Sequence, residues 1–249
     1  MAGEDAAKQV RDAAVQVRQA AEQVREKGVA HLRGAFATDA LARLKEAAAR
    51  CFEAIGTGQA MPERYRFNRP SHSVLLTALT DFGCEDVELT APLAVPGLDA
   101  MFSEAVGGAW RCNMEQSWVR KKFAPRAAPA REYHPHSWHQ DGALGVRFPA
   151  EPGPMVPMTE LVTCWIPLDA CGKDSPGLEF VRRRLGELVH FTQLDDGAMR
   201  RRFAAQEFWA PELEFGDGMV FLDGTLHRTY AREEMQSNRL SVEYRIFPG

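Results

Sequence analysis

The second half of the chain consists of short apolar segments that are separated by glycine, proline and aspartate. The segments that predict strands are residues 160–168, 177–183, 206–209, 217–222, 226–230 and 239–247. Short strands that alternate with turn residues are typical of an all-β sandwich or barrel. The pattern therefore restricts the chain after Trp110 to a β core, which begins with a further strand around residues 116–119.

The first 109 residues have a mainly helical pattern instead. Residues 6–26 contain three near-copies of a heptad, with Val10, Val17 and Val24 at equivalent positions. Alanine, glutamine, arginine and glutamate favour helices, so we predict a helix with one narrow apolar stripe. The stripe either packs on the domain's own surface or forms a short coiled-coil contact with a partner chain in a homo-oligomer.

The segments that follow this helix complete the N-terminal flank. Gly28 is predicted to end the helix, and Thr38-Asp39 to cap a second helix that reaches Ile55. The remaining predictions are a strand at 29–32, a loop at 56–73 and helical patches at 73–81 and 97–106. Because no linker is evident, we predict one domain over residues 1–249, with a helical flank (1–109) packed on a β core (110–249).

Composition excludes several functional classes. The net charge of −4 and the isoelectric point near 6.0 give no reason to expect a nucleic-acid partner. The sequence has no apolar run of membrane-spanning length and no apolar N-terminal signal segment. The five cysteines are odd in number and form no Cys-x-x-Cys pair, which favours reduced thiols in a cytoplasmic protein.

The segment Trp138–Gly142 contains a His-x-Asp pair, His139 and Asp141. Residues two apart on an extended segment point to the same side, so both side chains can reach one metal ion. Two histidines and one carboxylate with open coordination positions are typical of non-haem Fe(II) oxygenases. Since 7 histidines and 34 acidic residues give about one such pair by chance, a third ligand is needed, and His227 is the candidate.

Two further groups suit an anionic ligand. Arg239 and Ser241 share a face of a predicted strand, where a guanidinium fork and a hydroxyl fit a carboxylate. Basic residues also precede the metal motif, and these are Arg120, Lys121, Lys122, Arg126 and Arg131. They either meet an anionic substrate or form a solvated charge run. His134 and His136 are either substrate contacts or ordinary loop residues.

The combination of these segments resembles the phytanoyl-CoA dioxygenase family of Fe(II)/2-oxoglutarate-dependent dioxygenases. The resemblance extends over about residues 110–247 and loosely over the helices before them. The matching pieces are His139-Gln140-Asp141, residues 163–169, Pro176-Gly177-Leu178-Glu179-Phe180, residues 216–224, His227 and Arg239-Leu240-Ser241. Residues 181–186, Val-Arg-Arg-Arg-Leu-Gly, depart from the family, which usually has a Pro-Gly-Ser-His turn there.

The resemblance implies a double-stranded β-helix, or cupin-like jelly roll, with helices packed along one side. It implies that Fe(II) is bound by His139, Asp141 and His227. The residues that it places at the 2-oxoglutarate cosubstrate are Arg239, Ser241, Thr229, Trp165 and Gln140.

The implied activity is oxidation, most commonly hydroxylation, of a small-molecule metabolite by O2, with release of succinate and CO2. Two alternatives of another class stay open: a non-catalytic jelly-roll binding protein, and a zinc-dependent hydrolase that uses the same His-Asp-His face. Loops at the mouth of such a barrel select the substrate. Because the proline-rich loop 149–157 is well developed, the family name does not predict the substrate.

Overall fold

The computed structural model describes residues 2–68, 71–126, 137–153 and 157–249, with the side chains of residues 2–13, 67 and 68 left out. Its α-helices are α1 (Ala2–Lys27), α2 (Thr38–Gly56), α3 (Asp86–Thr90), α4 (Leu98–Val106) and α5 (Asp196–Arg202). Its strands are β1 (Val29–Leu32), β2 (Arg66–Asn68), β3 (Ser71–Leu75), β4 (Trp110–Cys112), β5 (Trp118–Lys122), β6 (Val162–Pro167), β7 (Gly177–Val181), β8 (Phe208–Trp209), β9 (Gly218–Leu222), β10 (His227–Tyr230) and β11 (Arg239–Pro248).

The strands form two antiparallel sheets. The larger sheet has the order β1-β9-β6-β11-β5-β3-β2, with β4 also paired to β11, and the smaller has the order β10-β7-β8. An isolated bridge between His139 and His227 attaches the metal motif to the edge of the smaller sheet. This arrangement is the predicted jelly roll, and each of the six strands predicted after residue 159 is confirmed.

The alternation of side chains along β11 separates the hydrophobic core from a polar interior. Val242, Tyr244 and Ile246 are fully buried in the core cluster that contains the apolar residues of α2. The Tyr244 hydroxyl donates to the carbonyl of Leu89 at 2.8 Å, which ties β11 to α3. Residues at the odd positions of β11 project from the opposite face of the strand, and this face belongs to the functional site.

The valine stripe of α1 packs on the domain itself. Val17, Ala20 and Val24 are at most 3% exposed and belong to the main core cluster. Gly28 ends the helix as predicted, with a positive φ of 80° and its amide bonded to the Val24 carbonyl at 2.9 Å. The side chain of Val10 lies outside the described residues. The contact with a partner chain stays a prediction.

Two N-terminal predictions were wrong in detail. Ala37 is the N-cap of α2 and no side chain caps it, so Thr38-Asp39 lie within the first turn. The loop predicted at 56–73 contains β2 and the start of β3, and β3 pairs with β5. Because the neighbouring strand supplies the hydrogen bonds, short polar segments form strands there that their own sequence does not indicate.

All five cysteines are free thiols in the structure, and the cytoplasmic location stays a prediction. Among the described residues, no helix combines the length and the apolar character that a membrane span requires.

Candidate metal centre

The structure brings His139, Asp141 and His227 together from two places in the chain. One ligand atom from each residue lies within 4.8 Å of the other two. His227 begins β10, whereas Asp141 opens a short 3-10 helix, Asp141–Ala143, directly after the extended residue Gln140. The prediction that His139 and Asp141 point to the same side is therefore confirmed, because the residue between them is extended.

Backbone carbonyls orient both imidazole rings. Nδ1 of His139 lies 2.8 Å from the carbonyl oxygen of Ser137, and Nδ1 of His227 lies 3.0 Å from that of Thr225. A carbonyl oxygen only accepts, so each Nδ1 carries the proton and Nε2 carries the lone pair. Such a hydrogen bond to the other nitrogen is the usual support of a metal-binding histidine.

Aromatic rings hold His227 in place. The ring of Phe221 lies 4.6 Å from it, and the ring of Phe180 is stacked on it at 6.0 Å, both measured between centroids. His139 lies 4.2 Å from His227 by the same measure. The rings of Phe221, Phe180 and His139 thus restrict the movement of the His227 imidazole.

Electrostatics keep the three ligands in the protonation states that a metal requires. Burial, with the neighbouring His227, lowers the pKa of His139 to about 4, and burial also lowers the pKa of His227. For Asp141 burial works against ionisation, but Arg245 and the two histidines outweigh it and lower the pKa. At neutral pH the imidazoles are neutral and the carboxylate is charged, as metal binding demands.

A cavity opens beside the three ligands and is lined by residues from both sheets. Its walls comprise Ser71, Arg120, Lys122, His139, Trp165, Leu178, Phe221, His227, Thr229, Arg239, Glu243 and Arg245. Three of the predicted cosubstrate residues, Arg239, Trp165 and Thr229, are therefore brought together with the histidines. His139, His227 and Arg239 therefore share one cavity, and Asp141 lies next to His227.

Contacts with the described residues hold Arg239 in this cavity. Its guanidinium donates to the carbonyls of Pro176 and Gly177 at 3.0 and 3.2 Å and lies 4.8 Å over the ring of Trp165. The side chain of Ser241, two residues along β11, is fully buried, and among the described residues its hydroxyl has no hydrogen-bond partner. A buried polar atom of this kind is satisfied when a ligand or water supplies the partner.

Gln140 has a different environment from the other predicted cosubstrate residues. Its amide nitrogen donates to the carbonyls of Glu187 and Gly224 at 2.9 and 2.8 Å, and its amide oxygen accepts from the Val189 amide at 2.6 Å. The side chain is not among those that line the cavity. Gln140 therefore ties the metal loop to two neighbouring loops.

Of the two interpretations of the basic residues before the metal motif, the solvated charge run does not describe Arg120 and Lys122. Lys122 is only 4% exposed, and both Lys122 and Arg120 line the cavity. Burial, with the nearby charges of Arg239 and Arg120, lowers the pKa of Lys122 to about 7. Side chains alternate along the strand Trp118–Lys122, so Arg120 and Lys122 point into the cavity and Lys121 points to the other face. This alternation is visible in the sequence.

Some of the residues singled out in the sequence cannot be placed relative to the site. Arg131, His134 and His136 lie outside the described residues, as do residues 154–156 of the proline-rich loop.

In the segment that replaces the family's turn, Arg183 pairs with Glu207 at 2.6 Å and Arg182 lies over the ring of Trp209 at 4.7 Å. Contacts of Arg182 and Arg183 with β8 and with Glu207 directly before it thus stabilise the segment 181–186.

The donor set fits a divalent transition metal. Two neutral imidazole nitrogens and one carboxylate oxygen are the ligands of the facial site described for non-haem iron. The two histidines donate hydrogen bonds to backbone carbonyls and Asp141 accepts one from Thr163, as is usual for metal ligands.

A sequence model of the phytanoyl-CoA dioxygenase family (PhyH) matches residues 24–233. The chain belongs to the phytanoyl-CoA dioxygenase family. The match includes the three candidate ligands and most of both sheets, and it ends before β11. A comparison with curated proteins finds no match.

Solved structures share the fold at low sequence identity. AviO1 from Streptomyces viridochromogenes Tue57 is 20% identical, with a TM-score of 0.61 over 92% of this chain and 94% of AviO1. The epimerase SnoN, in complex with Fe3+, alpha ketoglutarate and nogalamycin RO, is 16% identical, with a TM-score of 0.64 over 93% of this chain and 83% of SnoN. EctD from S. alaskensis with bound Fe is 14% identical, with a TM-score of 0.68 over 93% of this chain and 76% of EctD.

Proposed function

We propose that this protein is a non-haem Fe(II)- and 2-oxoglutarate-dependent dioxygenase that oxidises, most commonly by hydroxylation, a small-molecule metabolite. The observation that carries the proposal is that two members of the His139–Asp141–His227 cluster, the histidines, line one cavity with Arg239. A zinc hydrolase needs the metal face alone, and a binding protein needs no redox-active ion. Neither alternative accounts for the buried guanidinium of Arg239 in the same cavity as the two histidines.

The three ligand residues would hold Fe(II) by Nε2 of His139, Nε2 of His227 and Oδ1 of Asp141. Iron bound there would supply the activation of O2 that is coupled to the oxidative decarboxylation of 2-oxoglutarate to succinate and CO2. The chain contributes ligands whose protonation states need no change on metal binding, since the imidazoles are already neutral and the carboxylate already charged.

Arg239 would receive the distal carboxylate of 2-oxoglutarate. Its guanidinium is rigid because two backbone carbonyls and the Trp165 ring fix it, and a charge-assisted contact to a carboxylate is strong in such a site. Ser241 supplies a hydroxyl on the same strand face, Thr229 lines the same cavity, and Lys122 lies directly opposite Arg239 on β5. These groups set the orientation of the cosubstrate before the reaction starts.

Apolar walls would exclude water from the reacting centre. Trp165, Leu178 and Phe221 line the cavity together with the ligands, and each is at most 7% exposed. A site closed by such side chains strengthens its electrostatic contacts and prevents side reactions with water. The oxidised carbon would then be the one that the cavity holds nearest the metal ligands.

The decisive experiment is a 2-oxoglutarate turnover assay with Fe(II) and a panel of metabolites. We expect succinate in the presence of Fe(II) and O2, more with an accepted substrate, and none from His227→Ala. Anaerobic addition of Fe(II) and 2-oxoglutarate should also give the weak visible absorption of the chelate. Hydrolysis with zinc and no succinate with iron would support the hydrolase, and neither activity would leave only a binding function.

A further inference from the structure

The two oxygens of the Asp141 carboxylate have different surroundings. Oδ1 lies 3.8 Å from Nε2 of His227, on the side where the metal ligands meet. Oδ2 accepts a hydrogen bond from the Thr163 hydroxyl at 2.7 Å and a second from the guanidinium of Arg245. The carboxylate is therefore bound on one oxygen by the protein and presents the other to the two histidines.

The strand register explains why both donors reach the same oxygen. Arg245 on β11 and Thr163 on β6 are direct partners across the larger sheet, so their side chains leave the same face side by side. The guanidinium of Arg245 also contacts the Thr163 hydroxyl. Asp141 thus meets a pair of donors that the sheet itself holds in place.

A chain of buried charges supports Arg245 from behind. Arg245 pairs with Glu243, and Glu243 accepts from Arg120 at 2.8 and 3.4 Å. Arg120 in turn donates to the Ser73 hydroxyl at 3.1 Å. Because each charge is matched by its neighbour, the guanidinium of Arg245 has little freedom to turn away from Asp141.

We propose that Arg245, together with Thr163, is a positioning residue that turns the Asp141 carboxylate so that Oδ1 faces the metal. A carboxylate rotates easily about its last bond, and donors that occupy Oδ2 fix the plane in which Oδ1 lies. The inference rests on the proposed metal site but needs no turnover of 2-oxoglutarate. Arg245 acts through Asp141 and is no metal ligand itself.

Removal of Arg245 can change the metal affinity in two opposite directions, one expected from its charge alone and one from its positioning of Asp141. A cation next to a metal site repels a divalent ion, so by electrostatics alone its removal strengthens metal binding. Loss of the orientation of a ligand has the opposite effect, and removal of outer partners typically weakens metal affinity by about 10- to 100-fold. Because Arg245 also lowers the pKa of Asp141, weaker binding identifies the positioning role only when Thr163→Val, which changes no charge, weakens metal binding as well.

The experiment is an anaerobic titration of the metal-free full-length protein with Fe(II) and with Co(II). We expect Arg245→Met to weaken both metals by about 10- to 100-fold, and Thr163→Val, which changes no charge, to weaken them by about 10-fold. Arg245→Lys keeps the charge and should recover part of the affinity. The visible spectrum of bound Co(II) should change in Thr163→Val, because the spectrum reports the arrangement of the ligands.

Arg228→Met is the matched control. Arg228 follows His227 in the chain and pairs with Glu179 at 2.7 Å and with Asp196, but it is not among the residues that line the cavity. Its side chain is 19% exposed, against 11% for Arg245. We expect this variant to lose stability and to keep the metal affinity of the parent.

Equal or tighter metal binding by Arg245→Met would overturn the proposal. If that variant does not fold, a parent-like affinity and Co(II) spectrum in both Thr163→Val and Arg245→Lys would overturn it instead. A parent protein that binds Fe(II) but forms no succinate would refute the proposed function and leave the positioning of Asp141 testable.

Discussion

His139 and His227 are joined through their backbones as well as by their shared site. The amide of each donates to the carbonyl of the other at 3.0 Å, in an antiparallel bridge. A pair of this kind holds the two Cα atoms about 5.5 Å apart, so both imidazoles start from fixed positions. The distance between the two histidine ligands is therefore set by the sheet edge and does not depend on a metal.

Removal of the Arg239 guanidinium should separate cosubstrate binding from metal binding. We expect Arg239→Ala to weaken 2-oxoglutarate binding by about 2–5 kcal/mol, as for loss of a buried charge-assisted contact, while Fe(II) affinity is unchanged. The measurement is an anaerobic titration of the metal-loaded protein with 2-oxoglutarate. Parent-like affinity would show that the carboxylate binds elsewhere, and Arg228→Met again serves as the control for loss of a buried guanidinium.

The sequence predicts the strands and the common side of His139 and Asp141 because both follow local rules, whereas His227 lies far along the chain and could only be named as a candidate. Turn residues delimit the strands, and the spacing of His139 and Asp141 gives their common side. Arg245 and Glu243 could not be assigned to the site in the same way, because their roles come from the pairing of β11 with β5 and β6. Only the register of non-adjacent strands shows that Arg245 meets Asp141.

Gln140 illustrates the opposite case. It lies between two ligands in the sequence and matches a family position near the cosubstrate, yet its amide is occupied by three backbone groups. The partners come from residues 187–189 and from Gly224, which are distant in the chain. A match of residue type therefore does not give the direction of a side chain when several loops meet.

Lys122 should make 2-oxoglutarate binding depend on pH. Its pKa is about 7 in the protein without cosubstrate, because burial and the neighbouring Arg239 and Arg120 oppose the charge. An anion beside it favours the charged form, so binding above pH 7 takes up a proton. We expect the affinity to be constant below about pH 7 and to fall by up to about 10-fold per pH unit above it.

Calorimetry in buffers of different ionisation enthalpy measures this proton uptake directly. Lys122→Met should bind 2-oxoglutarate more weakly at pH 6.5 and should show no proton uptake at pH 8. If the parent takes up no proton at pH 8, the protonation of Lys122 is not coupled to the binding of 2-oxoglutarate.

The two histidines of the site should make the metal-free protein sensitive to acid. The pKa of His139 is about 4 in the folded protein and 6.5 as its ordinary value, so the unfolded chain binds the proton more readily. The stabilisation is complete above pH 6.5 and is lost as the pH falls from 6.5 to 4, by about 3 kcal/mol for His139 alone. Thermal unfolding of metal-free protein between pH 8 and pH 5 measures it, and His139→Gln should show a shallower slope.

The valine stripe of α1 should contribute to stability. Val24 is 3% exposed and Val15 is 43% exposed. We expect Val24→Ala to lower the free energy of unfolding by about 1–3 kcal/mol through lost burial and a cavity, and Val15→Ala to change it by less than about 0.5 kcal/mol. Urea unfolding measures both. Equal effects would contradict the packing of α1 on its own domain, and light scattering of Val10→Arg, at a position of the heptad stripe, tests the predicted partner contact.

Asp141 should make the enzyme an oxygenase and not a halogenase. Halogenases that resemble this family have a small residue in place of the carboxylate, and the vacancy allows a halide to bind the iron. Here Asp141 is buried, charged and oriented by Thr163 and Arg245, with Oδ1 towards His227. With iron bound, its carboxylate would take the position that a halide needs, and the remaining positions would be open to 2-oxoglutarate and O2.

The test compares the parent with Asp141→Ala in the presence of Fe(II), 2-oxoglutarate and chloride. We expect the parent to form no halogenated product. Asp141→Ala should lose most iron affinity, by more than the roughly 10- to 100-fold that outer partners contribute, since one of three protein ligands is gone. Because the variant also leaves Arg245 without its buried anion, its thermal unfolding is measured alongside. A halogenated product from the parent, or full turnover by a folded Asp141→Ala, would contradict the assignment of Asp141 as a ligand.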